Sequence, residues 1–79
     1  MSDIKADIVQ DSIGMQCPMP IVQMAKNMRT MNEGQVLEIQ ADDDGAHADI
    51  PAWCEQTENE FLGENEGEGH VSYFVRKKA

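Results

Sequence analysis

Ile4, Ala6 and Ile8 alternate with Lys5 and Asp7, which predicts a half-buried strand over about 4–9. Asp11, Ser12 and Gly14 then predict a turn. From Pro18 the period changes. Ile21, Met24, Ala25, Met28 and Met31 fall on one helical stripe, with Gln23, Lys26, Asn27 and Thr30 elsewhere, so a helix is predicted over 18–31. Pro18 suits the first helical position, where a missing N–H loses no bond, and this leaves Cys17 at the N-cap. Pro20 still falls in the tolerant first turn. Asn32-Glu33-Gly34 closes the helix, with Gly34 as its left-handed residue. Leu37, Ile39 and Ala41 alternate with Glu38 and Gln40, a second strand over about 35–41.

After Asp42-Asp43-Asp44-Gly45 a second helix runs to about Asn59, with Ile50, Trp53, Cys54 and Thr57 inward. Asp49, just before Ile50-Pro51, reads as its N-cap, and a start one turn earlier also fits. Phe61 and Leu62 mark a short third strand, and the Gly-rich stretch from Gly63 to Gly69 reads as a hairpin loop. Val71, Tyr73 and Val75 form the last strand. The order βαβαββ, with right-handed crossovers, predicts an α+β, two-layer α/β sandwich. A mixed four-stranded sheet would carry both helices on one face and leave the other open.

The chain has 79 residues, which implies one domain over 1–79. With 41% hydrophobic residues and only four aromatics, its core is thin and its stability marginal. Fifteen acidic against six basic residues leave a net charge of −9, which argues against nucleic-acid binding and a polybasic membrane anchor. No apolar run is long enough to span a membrane, and the start MSDIKAD is too charged for a signal peptide. A cytoplasmic monomer is therefore the expectation. Two cysteines do not make a disulfide scaffold. The charge is uneven: 41–68 holds ten acids and no Lys or Arg, whereas 12–32 has no acid. That predicts a mildly basic side next to Cys17 and an acidic remainder.

The chemistry concentrates in Gly14-Met15-Gln16-Cys17-Pro18-Met19-Pro20. A cysteine at a helix N-terminus has its thiolate stabilised by free N–H groups and the helix dipole. Two prolines stiffen the turn that aims the sulfur. The residue three places on is Pro20, so the resolving thiol of a Cys-x-x-Cys pair is absent, and a lone activated thiol suits carrying a group. Met19 lies off the buried stripe beside Cys17 and fits an exposed apolar contact patch.

Gly14-x-x-Cys17-Pro18-x-Pro20, with Lys26 nine residues after the cysteine, closely resembles the TusA/SirA-like family of small sulfur carriers. Ala41-Asp42-Asp43, Asp49-Ile50-Pro51-Ala52-Trp53-Cys54 and Tyr73-Phe74-Val75-Arg76-Lys77 extend the resemblance over nearly the whole chain. It implies a sulfurtransferase that accepts a sulfane sulfur as a persulfide on Cys17. The donor would be a cysteine desulfurase or rhodanese-like protein, and the sulfur would pass to an acceptor protein's cysteine. Such a relay needs no metal or organic cofactor. The family also implies that Lys26, and with less weight Arg29, dock an acidic partner surface, beside the plainer reading of solvated side chains. The route onward (tRNA thiolation, molybdenum-cofactor assembly or sulfur oxidation) stays open.

Other readings compete for the same residues. Cys54 shares a stripe with Ile50 and Trp53 and reads as core packing, against a rival role as a resolving thiol. Cys17, His47, Cys54 and His70 are separated by 30, 7 and 16 residues, which matches no zinc pattern. Asp42-Asp43-Asp44-Gly45 is not an EF-hand, because Pro51 would fall at the closing ligand position. His47 and His70 receive no role. A non-catalytic acidic binding or redox-regulatory module, with Cys17 as a cap or sensor, is the alternative function.

Overall fold

A computed structural model of the chain describes residues 4–16 and 18–78. Its elements run β1 (Ile8–Ser12), α1 (Met19–Thr30), β2 (Val36–Ala41), α2 (Ala46–Thr57), β3 (Glu60–Glu66) and β4 (Val71–Arg76). The order is the expected βαβαββ, in one four-stranded sheet arranged β1-β2-β4-β3. β1 pairs with β2 in parallel, and β4 lies antiparallel between β2 and β3. The α+β two-layer sandwich with a mixed sheet is therefore the observed fold.

Both helices cover the same sheet face. Met24, Met28 and Met31 from α1 and its C-cap meet Ala46, Ile50 and Cys54 of α2 over Leu37, Ile39, Ala41, Tyr73 and Val75. Fully burying each large aliphatic side chain there stabilises the fold by about 1.5–3 kcal/mol. The other face is polar where β2 and β4 meet. Glu38 Oε2 accepts from Gln40 Nε2 at 3.0 Å and from Ser72 Oγ at 2.9 Å. Arg76 pairs with Glu60 at 3.0 Å on the β3 side.

Several boundaries move. β1 lies further on than 4–9 and continues through Ser12, so Asp11-Ser12 is strand and the turn falls at Ile13-Gly14. The α1 N-cap is Pro18, one residue past the predicted Cys17, and the first turn contains Met19 and Pro20. The helix ends at Thr30 with an extended Met31 as its C-cap, so Gly34 (φ +93°) serves the following turn instead of the helix end. α2 starts at Ala46, the earlier of the two starts that the sequence allowed, and carries Pro51 inside it. Its left-handed C-cap is Glu58, at φ +63°. β3 does not stop at Leu62. It runs on to Glu66 through a register shift between Phe61 and Gly63, where Gly63 adopts φ +143°. A bulge at Leu62, followed by the permissive Gly63, lets the strand continue where a hairpin loop was expected.

Candidate functional site

Ser12 pairs with Ala41, Ala41 with Val71, and Val71 with Glu66, so one edge of the sheet gathers several connections. They are the β1–α1 segment, Asp42-Asp43-Asp44 and the β3–β4 loop. Cys17 itself lies outside the described residues; its sequence neighbours Gln16 and Pro18 are exposed. Hydrogen bonds set the segment on both sides of it. Ile13 N donates to Asp11 Oδ1 at 3.1 Å, Gly14 N to Asp42 Oδ1 at 2.9 Å, and Met15 N to Ser12 O at 3.1 Å. Gly14 takes φ +87°, a conformation that glycine adopts without strain. Further on, Met19 N donates to Gln16 O at 2.8 Å and Val22 N to Pro18 O at 3.0 Å. Pro20 is buried beneath the first turn, whereas Pro18 is exposed. With one N–H engaged and another replaced by proline, this helix start offers fewer free donors than the usual four.

The expected docking residues share one surface. Met19, Lys26 and Arg29 stand at helical spacings on the outer side of α1. Met19 is 49% exposed. Val22 belongs to the same stripe, and Ile13 is also an exposed large hydrophobic in the preceding turn; both were missed by the sequence reading. Counting outward positions on the helix would have found Val22. Among the described residues Lys26 and Arg29 form no ion pair, whereas Arg76 binds Glu60 and Lys77 Nζ donates to Met28 O at 2.6 Å.

On its other side the segment borders acid. Asp42, which accepts the Gly14 N–H, lines a cleft of about 500 Å³ with Asp43, Asp44, His47, Glu64, Glu66, His70 and Tyr73. His47 Nδ1 lies 2.9 and 3.0 Å from the two Glu64 carboxylate oxygens. Burial, and then the carboxylates of Glu64, Asp44 and Asp43, push the Tyr73 hydroxyl above its ordinary pKa. Among the described residues no group of three or more His, Cys, Asp or Glu is arranged to hold a metal ion.

Cys54 occupies the inner face of α2, 1% exposed, and burial pushes its thiol up to about 11. A neutral sulfur enclosed by the core is a poor nucleophile and a poor resolving thiol. No helix among the described residues is long and apolar enough to cross a membrane.

The architecture is thus a small α+β sandwich in which Gly14 and Met15 on one side, and Pro18-Met19-Pro20 on the other, lie at the strand-end edge, between an apolar and basic helix face and an acidic cleft. A crystal structure of a SirA-like protein from Desulfitobacterium hafniense has this fold, with a TM-score of 0.79 at 19% identity, covering 91% of this chain and 99% of that one. Residues 8–77 match the family model described as "Sulfurtransferase TusA", and the chain belongs to that family. It is 37% identical over 79 residues to the "Sulfur carrier protein TusA" of Pseudomonas entomophila (strain L48), covering 100% of this chain and 99% of that protein. It is 48% identical over 75 residues to the "Putative sulfur carrier protein YrkF" of Bacillus subtilis (strain 168). That match covers 94% of this chain but only 40% of YrkF, a longer protein.

Proposed function

We propose that this chain is a sulfur carrier that holds sulfur as a persulfide on Cys17. The observation that carries the reading is membership of the TusA family over residues 8–77, a span that contains the Cys17-Pro18-Met19-Pro20 motif. The Cys17 thiolate attacks the outer sulfur of a donor protein's cysteine persulfide. The donor's S–S bond breaks, its cysteine leaves as a thiolate, and Cys17 becomes Cys17–S–SH. Attack by an acceptor cysteine on that outer sulfur repeats the exchange and returns Cys17 as thiolate. No net oxidation occurs and no cofactor is consumed. The dipole of α1 favours the anionic forms at its N-terminus.

A sulfur-carrier family implies donor and acceptor proteins. Met19, Lys26 and Arg29, with Val22, form the surface proposed to dock them. An acidic rim on the partner would meet the two basic side chains while the apolar end covers the transferring sulfurs. A cysteine desulfurase or rhodanese-like protein would supply the sulfur, in the cytoplasm.

Replacing Cys17 by Ser tests the assignment. After incubation with a desulfurase and cysteine, intact-mass measurement should show one reductant-labile sulfur on the wild type and none on Cys17→Ser, at matching circular dichroism. Sulfur retained by the Ser variant would overturn it.

A further inference from the structure

Between the end of β1 and the first turn of α1 lies a polar cluster that the carrier chemistry does not by itself require. Gln10 is on the helix-facing side of β1 and only 3% exposed. Its Nε2 donates to Ser12 Oγ at 2.8 Å and to Pro20 O at 3.1 Å, and its Oε1 accepts from Asn27 Nδ2 at 2.8 Å. The orientation of the amide follows from chemistry, since a carbonyl at Pro20 accepts only from a donor. Both N–H groups and the carbonyl are therefore satisfied. That makes this buried glutamine an ordering device instead of a liability.

What it orders is specific. Ser12 ends β1 and Pro20 sits in the first turn of α1. One amide nitrogen thus bridges the two ends of the stretch that holds Cys17 in the sequence. Gly14 N–Asp42 Oδ1 and Met15 N–Ser12 O fix its near half. Asn27, two turns along α1, holds the glutamine from the other side.

We propose that Gln10 is the positioning residue of the Cys17 segment, stapling Ser12 to Pro20 so that the segment keeps one conformation through loading and delivery. The inference rests on Cys17 being the working thiol. A preorganised loop needs no ordering when a donor docks, and it holds the thiol in a constant relation to the helix end. Without the staple, the strand end and the helix start move independently.

The test compares the wild type with Gln10→Leu, which keeps the bulk and removes the amide, and Gln10→Glu, which keeps the acceptor for Asn27 but sets a carboxylate against Pro20 O. In a Cys54→Ala background, the rate of Cys17 alkylation by iodoacetamide is followed against pH. Both variants should keep native circular dichroism, shift the midpoint of the alkylation profile upward, and react about three- to tenfold more slowly at pH 7. Loading from a persulfide donor should slow by a similar factor. Wild-type profiles and loading rates in both variants would overturn the staple.

Should either variant fail to fold, hydrogen exchange on the wild type decides. The amides of Ile13, Gly14 and Met15 should open together with those of Ile21 and Val22; independent opening of the two sets overturns the proposal. A wild type that takes up no sulfur would sink the carrier reading, while alkylation and exchange still judge the staple.

Discussion

Cys54 packs with Ala46 and Ile50 between α2 and the sheet. Its thiol is pushed from 9.0 up to about 11 by burial, so the folded chain keeps the proton more tightly than the unfolded one. That contribution is present in full below pH 9 and is lost as pH rises through about 11. The loss is worth roughly 2–3 kcal/mol. Cys54→Ala should therefore cost about 1 kcal/mol at pH 7, through lost contacts, and flatten the decline in urea stability between pH 9 and 11. An undiminished decline would assign it to other groups, Tyr73 first among them. The burial of Cys54 was legible in the sequence, because a sulfur on the stripe of Ile50 behaves as a small hydrophobe. Gln10 and Ser12 were hidden by the same logic. They continue the even-numbered inward parity of Ile4, Ala6 and Ile8, but their polarity reads as outside. Only the partners at Pro20 and Asn27, far along the chain, show why a buried amide is tolerated there.

The third strand shows how an element can outlast its local signals. Gly63 follows Phe61 and Leu62, and glycine weakens strands, so a loop was the natural expectation. Pairing with β4 overrides this. Phe61 faces Val75 and Gly63 faces Phe74, leaving Leu62 as the extra residue of a bulge. At φ +143° a side chain is strained even though an added Cβ would meet nothing within 4 Å. Gly63→Ala should therefore lose about 1–3 kcal/mol by backbone strain alone. The urea midpoint should fall with an unchanged slope. An unchanged midpoint would show that the bulge tolerates a side chain. Packing also decides between the two possible starts of α2. Ile50-Pro51 looks like a first turn because proline is favoured there, yet Ala46 and Ile50 are both core residues and packing extends the helix back to bury them. Periodicity shows which faces are apolar; where an element starts depends on contacts that local pattern does not contain.

Across the whole molecule, the antiparallel β4 between β2 and β3 follows from no local pattern, and this placement decides what the charges do. It brings Glu64 and Glu66 of β3 opposite Tyr73 and Val71, beside Asp42, Asp43 and Asp44 after β2. Residues distant in sequence thus crowd their carboxylates around one cleft, within a body of 30 × 29 × 19 Å that carries −9 overall. Of the described pairs that oppose this repulsion, Arg76–Glu60 is partly solvated and so weak, and His47–Glu64 adds charge attraction only when the imidazole is protonated. Screening should therefore remove more repulsion than attraction. The Debye length falls from about 30 Å at 0.01 M salt to about 10 Å at 0.1 M, from the size of the molecule to well below it. Raising NaCl from about 0.01 to about 0.5 M should lift the thermal midpoint by about 3–8 °C, equivalent to roughly 1 kcal/mol. Glu66→Gln should reproduce part of that gain at low salt and none at high salt. A midpoint that falls with salt would mean that the few attractions outweigh the crowded carboxylates, and that the acidic cleft is held together by charge instead of strained by it.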